Sequence, residues 1–321
     1  MNDSGDACPR SPGYRLTMTI SAGHSGPPLV QLRAHGRLAS PVADDVLVTA
    51  SVGPSGEVIS LWADPASRKA LLAGAGLAES CARQPVSARV VVQGASTTTV
   101  TTIAALDLPF CKLQPLPDGR IVAVAGRGGK AVVFDADGTP VLQGDVGDGI
   151  EHALTTPTGQ LWIGYFDEGV YGGGSPHGIV RLTAGLEPNW GYPFGVEFGP
   201  IDDCYSLNVE GETAWACYYS SFPIVRISDG TVTGWHNKIR GAKALVAHGD
   251  TCALFGGYSG ERSRVVIGRL ADTQHEPVSE GLLVLPGDRP LPDRVQMVGR
   301  GPELHVFANT EWYRISLDDL P

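Results

Sequence analysis

The stretch "TTPTGQLWIGYF" (155–166) decides how this chain is read. Thr-Pro-Thr-Gly is a tight turn: proline presets φ at its first position, and glycine accepts the positive φ that closes it. Leu161 to Phe166 then run apolar almost without interruption, as a strand buried on both faces does. The same design recurs on either side. "SVGPSGEVISLWA" (51–63) and "PLPDGRIVAVAGR" (115–127) join two strands through a Pro-X-Gly turn. Weaker copies are "NVEGETAWACYY" (208–219), "VAHGDTCALFGGY" (246–258) and "VGRGPELHVFAN" (298–309). With Gly56, Gly119, Gly159, Glu212, Asp250 and Pro302 as equivalent turn positions, the unit returns every roughly 40–50 residues.

Each unit continues into a third strand that ends in a turn: "KAVVFDADG" (130–138), "HGIVRLTAG" (177–185), "FPIVRISDG" (222–230) and "SRVVIGRLAD" (263–272). A fourth, more polar strand follows in "TTTVTTIAAL" (97–106), "PVLQGDV" (140–146) and "TVTGWH" (231–236). Asp-Gly between strands marks a hairpin because both residues tolerate positive φ. Four strands per unit at this period is the pattern of a β-propeller. The expectation is an all-β chain folded as a single six-bladed β-propeller with four antiparallel strands per blade. The blades are read at about 46–106, 110–147, 150–194, 203–237, 241–285 and 293–320. The last range supplies three strands, so the N-terminal strand "YRLTMTI" (14–20) is assigned to close the last blade and cover its edge. "LVQLRAHG" (29–36) is the competing closure strand, and residues 1–13 read as a flexible N-terminus. The first interval is about 20 residues too long. The excess, "DPASRKALLAGAGLAESCARQ" (64–84), reads as a helical insertion decorating the surface.

Composition narrows the function. The 42 Gly and 24 Pro of 321 residues fit a turn-rich fold, and 18% charged residues argue against disorder. A net charge of −10 with no basic run argues against nucleic-acid and anionic-membrane partners. The first residues, "MNDSGDACPR", lack a basic segment leading into an apolar one, and no apolar run is long enough to span a bilayer. Six cysteines, with no CxxC pair among them, read as reduced thiols in a cytoplasmic protein.

Propeller topology then places the candidate site. The loop that leads into each inner strand opens on one face, together with the loop between strands two and three. The Pro-X-Gly turns lie on the opposite face. Aligning inner strands by their turns gathers Lys112, Glu151, His152, Asp202, Asp203, Lys243 and Arg294 at one mouth of the channel. The loop "DEGVYGGGSPHG" (167–178) adds Asp167, Glu168, Tyr171 and His177, and Tyr219 lies beside the same face. Convergent polar groups in a concavity are the default ligand site. His152, Glu151 and Asp203 are the acid–base candidates. The others are candidate substrate-binding residues, with Lys112, Lys243 or Arg294 facing developing negative charge. Each has a structural alternative: His152 bonded to a neighbouring main chain, one of Asp202 and Asp203 capping a turn, Asp167–Glu168 solvated. Cys204 reads as a small core residue or as a thiol paired with His152 across adjacent blades. No serine-nucleophile elbow, zinc-protease, phosphate-loop or calcium-loop motif occurs.

The Pro-X-Gly turn and apolar strand of "TPTGQLWIGYF" and "PLPDGRIVAVAG" resemble the repeat of NHL-type, gluconolactonase-like and streptogramin-lyase-like propellers, from about 46 to 320. That resemblance implies a small-molecule substrate handled at the top face with a metal ion and a few His, Glu, Asn or Asp residues. The lactonases' paired Asn and Asp ligands and the lyases' late-blade histidines have no match here, so no metal ligands are assigned. No motif requires a cofactor, and a single divalent metal is compatible with the reading. The expected function is a lyase, hydrolase or isomerase acting on a small molecule. The alternative is a non-catalytic scaffold binding a protein or a small ligand.

Overall fold

A computed structural model describes residues 26–73, 84–172 and 174–321. Strands dominate, and consecutive strands pair antiparallel in runs of four. The first unit covers 46–106, the second 112–145, the third 150–191, the fourth 203–235 and the fifth 244–285. The sixth consists of Gln296–Arg300, Glu303–Ala308, Glu311–Ser316 and, on its outer edge, Arg33–Arg37. The innermost strand of each unit packs on that of the next, and the last packs on the first. The fourth and sixth units also meet through a parallel bridge between Asn208 and Gly299 on their inner strands. The architecture is thus mostly β and propeller-like.

Burial follows the strand order. Second strands such as Val58–Ala63, Ile121–Val124 and Leu161–Tyr165 are buried at every residue, which is why they read as apolar runs. Outer strands such as Thr98–Leu106 are mostly exposed. The core lies between units: Val122, Val124 and Ala131 of the second pack with Ala153, Leu161 and Ile163 of the third.

The turns that revealed the repeat come in two kinds. In the first three units Gly56, Gly119 and Gly159 have φ of +84°, +81° and +85°. Each donates its N–H to the carbonyl three residues earlier, on Gly53, Leu116 and Thr156. In the last three units the strands are joined by two-residue loops, Gly211-Glu212, Gly249-Asp250 and Gly301-Pro302. There the positive φ falls on the glycine, one residue before the positions aligned by sequence.

Two expectations need correction. The outer neighbour of Glu311–Ser316 is Arg33–Arg37, the competing closure segment. Its inner neighbour is Glu303–Ala308, so both edges of Glu311–Ser316 are taken. Residues 14–20 themselves lie outside the described residues. The preceding strand, Leu29–Gln31, runs parallel on the edge of the fifth unit, so one short segment ties the last two units together. The stretch after Phe166 is not a loop throughout: Asp167–Gly172 forms a short helix with its two acids in the first turn, where the helix dipole favours them.

The expected insertion contains the helix Pro65–Leu72, capped by Asp64, whose carboxylate accepts from the N–H groups of Ala66 and Ser67. Its continuation from 74 to 83 lies outside the described residues. Cys111, Cys204, Cys217 and Cys252 are buried free thiols; Cys8 and Cys81 are outside the described residues. No helix among the described residues is long and apolar enough to cross a membrane.

Candidate functional site

The inner strands enclose a central cavity of about 560 Å³. At the turn end it is closed by a polar network. Arg300 is buried and donates from Nε to the Val52 carbonyl at 2.9 Å, from one terminal nitrogen to the Thr155 carbonyl at 2.8 Å, and from the other to Gln114 Oε1 at 2.5 Å. Gln114 Nε2 donates to Ser51 Oγ at 2.6 Å. Asn208 Nδ2 donates to the carbonyls of Leu245 and Gly301, and its Oδ1 accepts the Gly301 N–H at 2.7 Å. Arg300 and Gln114 thereby link the sixth unit to the first three, and Asn208 links the fourth to the fifth and sixth. Burial pushes the Arg300 guanidinium down to about 9, against the pull of the Glu57 carboxylate, so it stays charged at neutral pH.

At the mouth the inner strands bulge. The pairing slips between Leu47 and Thr49, between Ile150 and His152, and between Cys204 and Ser206. The extra residues are Val48, Glu151 and Tyr205, and all three line the cavity. A bulge bends its strand and re-aims the side chains beside it. Lys112, His152 and Lys243 line the same cavity. The sequence alignment of inner strands therefore brought together Lys112, Glu151, His152 and Lys243.

His152 lies against the neighbouring unit. A methyl placed on Gly164 would meet both the Cys204 sulfur, at 2.7 Å, and the His152 ring, at 3.4 Å, so this glycine is what lets the fourth unit approach. Main-chain groups of Cys204 and Tyr205 in that unit bond the His152 imidazole, the structural role open to it, while its Nε2 is buried without a partner. Burial pushes the imidazole down to about 4, while the Glu151 carboxylate pulls upward, so the ring is neutral at pH 7. Cys204 donates to the Ser206 carbonyl, and burial drives its thiol well above the ordinary range. That protonated, enclosed sulfur is a core group, and the structure removes the Cys204–His152 nucleophile.

Asp203 is buried next to this contact, and its Oδ1 has no partner. Burial raises its carboxyl to about 6; Lys243 opposes the rise, and Asp167, Glu151 and Glu168 add to it. Acids from three elements thus crowd one corner of the mouth. Asp202 accepts a short hydrogen bond from the hydroxyl of Tyr171, which is otherwise solvent-exposed. Glu168 pairs with Arg127 of the second unit at 3.4 Å, and Asp167 accepts the Glu168 N–H.

Two expected members sit elsewhere. Arg294 lines a second cavity of about 660 Å³ between the first and sixth units, beside Asp45, Arg68 and Phe307, because its neighbour Val295 takes the inward position. His177 is used at the edge of the third unit: its Nδ1 bonds the Tyr192 carbonyl at 2.8 Å and its ring lies tilted against Phe194.

Sequence reasoning placed Tyr219 beside this face but missed the aromatic wall it belongs to. Tyr205, Phe222 and Tyr258 meet edge to face, Tyr219 packs on Phe222, and the Tyr258 hydroxyl bonds that of Tyr205. The Lys243 ammonium stands 4.4 Å over the Tyr205 ring, a cation–π contact. Also missed was the Arg262–Asp293 ion pair at the rim, formed by loops of the fifth and sixth units. Tyr205 carried a signal, since it aligns with His152; the ion pair carried none.

A divalent cation does not fit this donor set. Among the described residues no three His, Cys, Asp or Glu side chains gather at ligand distance. In the cavity Glu151 and an enclosed imidazole face two ammonium groups, which would repel the ion, and the second carboxylate, Asp293, is already paired with Arg262.

Residues 196–249 match a family model described as the YxzG family. No match is found among curated proteins. Among solved structures, selenomethionine-substituted virginiamycin B lyase from Staphylococcus aureus is 11% identical with a TM-score of 0.47, covering 88% of this chain and 97% of that one. A gluconolactonase from Xanthomonas campestris is 11% identical with a TM-score of 0.44, covering 88% and 98%. A calcium-binding protein, regucalcin, from Agrobacterium tumefaciens is 13% identical with a TM-score of 0.45, covering 90% and 95%. These likenesses carry no activity over to this chain.

Proposed function

We propose that the units are the blades of one six-bladed propeller and that the chain is an enzyme of lyase, hydrolase or isomerase type. It acts on a small molecule in the central cavity. The observation that carries this reading is that His152 lines the cavity with its Nε2 unpartnered, and that Asp203, whose charge neighbours are Lys243 and Glu151 of the same mouth, has an unpartnered Oδ1. Burying such atoms unpaired is costly, about 1–3 kcal/mol each, and a chain bears that cost where a ligand supplies the missing partner. The surroundings push the two groups apart in acidity: His152 is held neutral as a base, and Asp203, at about 6, can hold a proton as an acid. Glu151 adds a carboxylate that can relay the proton, and Lys112 and Lys243 face developing negative charge. Asp202, Tyr171, Tyr219, Asp167 and Glu168 form the rim that meets the outer part of the ligand.

The deciding experiment screens small-molecule turnover and compares wild type with His152→Gln. This variant keeps most of the side-chain volume but cannot shuttle a proton near neutral pH. Activity should fall about 100-fold or more with the melting temperature within a few degrees. A drop in stability with unchanged turnover would overturn the reading. The exposed Tyr171, Tyr219 and Tyr258 favour a second reading, a face that binds a protein or ligand without chemistry. In that case binding would survive His152→Gln and fail in Tyr219→Ala.

A further inference from the structure

We propose that Lys112 is a nucleophilic amine that condenses with the carbonyl carbon of a small 2-oxo acid or aldehyde acid held in the central cavity, forming a protonated imine. The inference rests on the acid–base reading of the same cavity and names its substrate class.

Three observations carry it. Lys112 opens the inner strand Lys112–Pro115 at the mouth, and pairing with Val124 fixes its backbone. Its side chain lines the cavity beside Cys111 and Glu151, and among the described residues its ammonium has neither hydrogen bond nor ion pair. Lys243, the second amine of the cavity, lies on the Tyr205 ring, where it suits a carboxylate better than a covalent step. Arg262 is already paired with Asp293 at 2.5 Å. One unpaired amine and a second ammonium held on an aromatic face match a ligand with a carbonyl next to an acid. Burial also lowers the Lys112 amine, with Glu151 and Cys111 opposing and Arg127 assisting, so more of it is in the nucleophilic form.

The step balances within the site. The Lys112 nitrogen pair bonds the carbonyl carbon while the carbonyl π pair moves to oxygen, which takes a proton. The nitrogen then loses a proton to Glu151. The remaining nitrogen pair expels the hydroxyl as water, protonated by Asp203 through solvent. Amine, carbonyl compound and one proton become protonated imine and one water. The imine withdraws electrons from the adjacent carbon, so His152 or Glu151 can remove a proton there, which is the start of an isomerisation or an elimination.

The chain has five lysines, Lys69, Lys112, Lys130, Lys238 and Lys243, so the site can be tested against internal controls. The full-length protein is incubated with glyoxylate and sodium cyanoborohydride near pH 7, and the carboxymethyl-lysine is mapped by peptide mass spectrometry. Lys112 should be modified ahead of the exposed Lys69 and Lys238, by about tenfold for each unit its amine is lowered. Lys112→Arg and Lys112→Met should each remove the selective adduct while the other four lysines react as before. Modification that follows exposure, with Lys112 last, overturns the proposal, as does selective labelling that survives in both variants. Turnover lost in His152→Gln without any Lys112 adduct overturns the imine alone. A Lys112 adduct in a protein whose turnover ignores His152 supports the imine and overturns the acid–base reading.

Discussion

The two ends of the central channel are built from the same inner strands and treat their polar groups in opposite ways. At the turn end Arg300, Gln114, Thr155 and Asn208 are buried and bonded to one another or to main chain of other units. Three residues up the strand from Thr155, roughly 10 Å at about 3.3 Å per residue, His152 holds a buried atom with no partner, as does Asp203 on the inner strand of the fourth unit. A saturated network rigidifies and specifies one arrangement; on the proposed reading the unsaturated atoms at the mouth are left for a ligand. Polar composition alone does not separate a structural pin from a site. Partner saturation is what differs between the two ends.

The sharpest way to break this comparison is at the pin. Arg300→Met keeps the stem of the side chain and removes every donor, leaving the Val52 and Thr155 carbonyls and Gln114 Oε1 short of a partner. Chemical denaturation should show a loss of roughly 3 kcal/mol or more. Asn208→Ala strips the Gly301 N–H of its acceptor and the Leu245 and Gly301 carbonyls of one donor each, the latter keeping the Ala247 N–H, and should cost about 2–3 kcal/mol by the same assay. Neither substitution touches the mouth. If Arg300→Met melted like wild type, saturation would not mark structure here. At the mouth the order reverses: His152→Gln should leave stability nearly unchanged and act on turnover.

Much of the frame is legible in the chain because its signals are local. A glycine at positive φ after Pro-X is a property of four residues, and so Gly56, Gly119 and Gly159 read correctly. The last three units use tighter hairpins, and Glu212, Asp250 and Pro302 were aligned one residue past the glycine that bends them. Closure was misread because 14–20 and 29–36 both alternate, and nothing local says which one meets a strand almost three hundred residues away. The site was half legible. Turn-anchored alignment brought Lys112, Glu151, His152 and Lys243 to one cavity, since the turn sets the register of each inner strand. It misplaced Arg294 beside Val295, and it took no account of the bulges at Val48, Glu151 and Tyr205, which depend on pairing. Arg300 went unnoticed because its partners come from three other units.

The gentlest test concerns Asp203, and its sign separates site from scaffold. Its carboxyl is raised by burial to about 6, above the ordinary aspartate value of 3.8, so the native state binds a proton that the unfolded chain releases. Stability from this group is therefore present below about pH 4 and falls as pH rises through 6. Asp203→Asn removes the titration. Relative to wild type the variant should gain on the order of 1 kcal/mol at pH 7, after allowance for solvent screening by the open mouth, and nothing at pH 4. A structural carboxylate held by partners would show the reverse, with the variant weaker at pH 7. Activity should move against stability. Wild type should show a limb of its pH–rate profile near 6, and that limb should vanish in Asp203→Asn along with most of the turnover. A variant that is both more stable and fully active would leave the unpartnered Oδ1 without a chemical role and return this corner of the mouth to architecture.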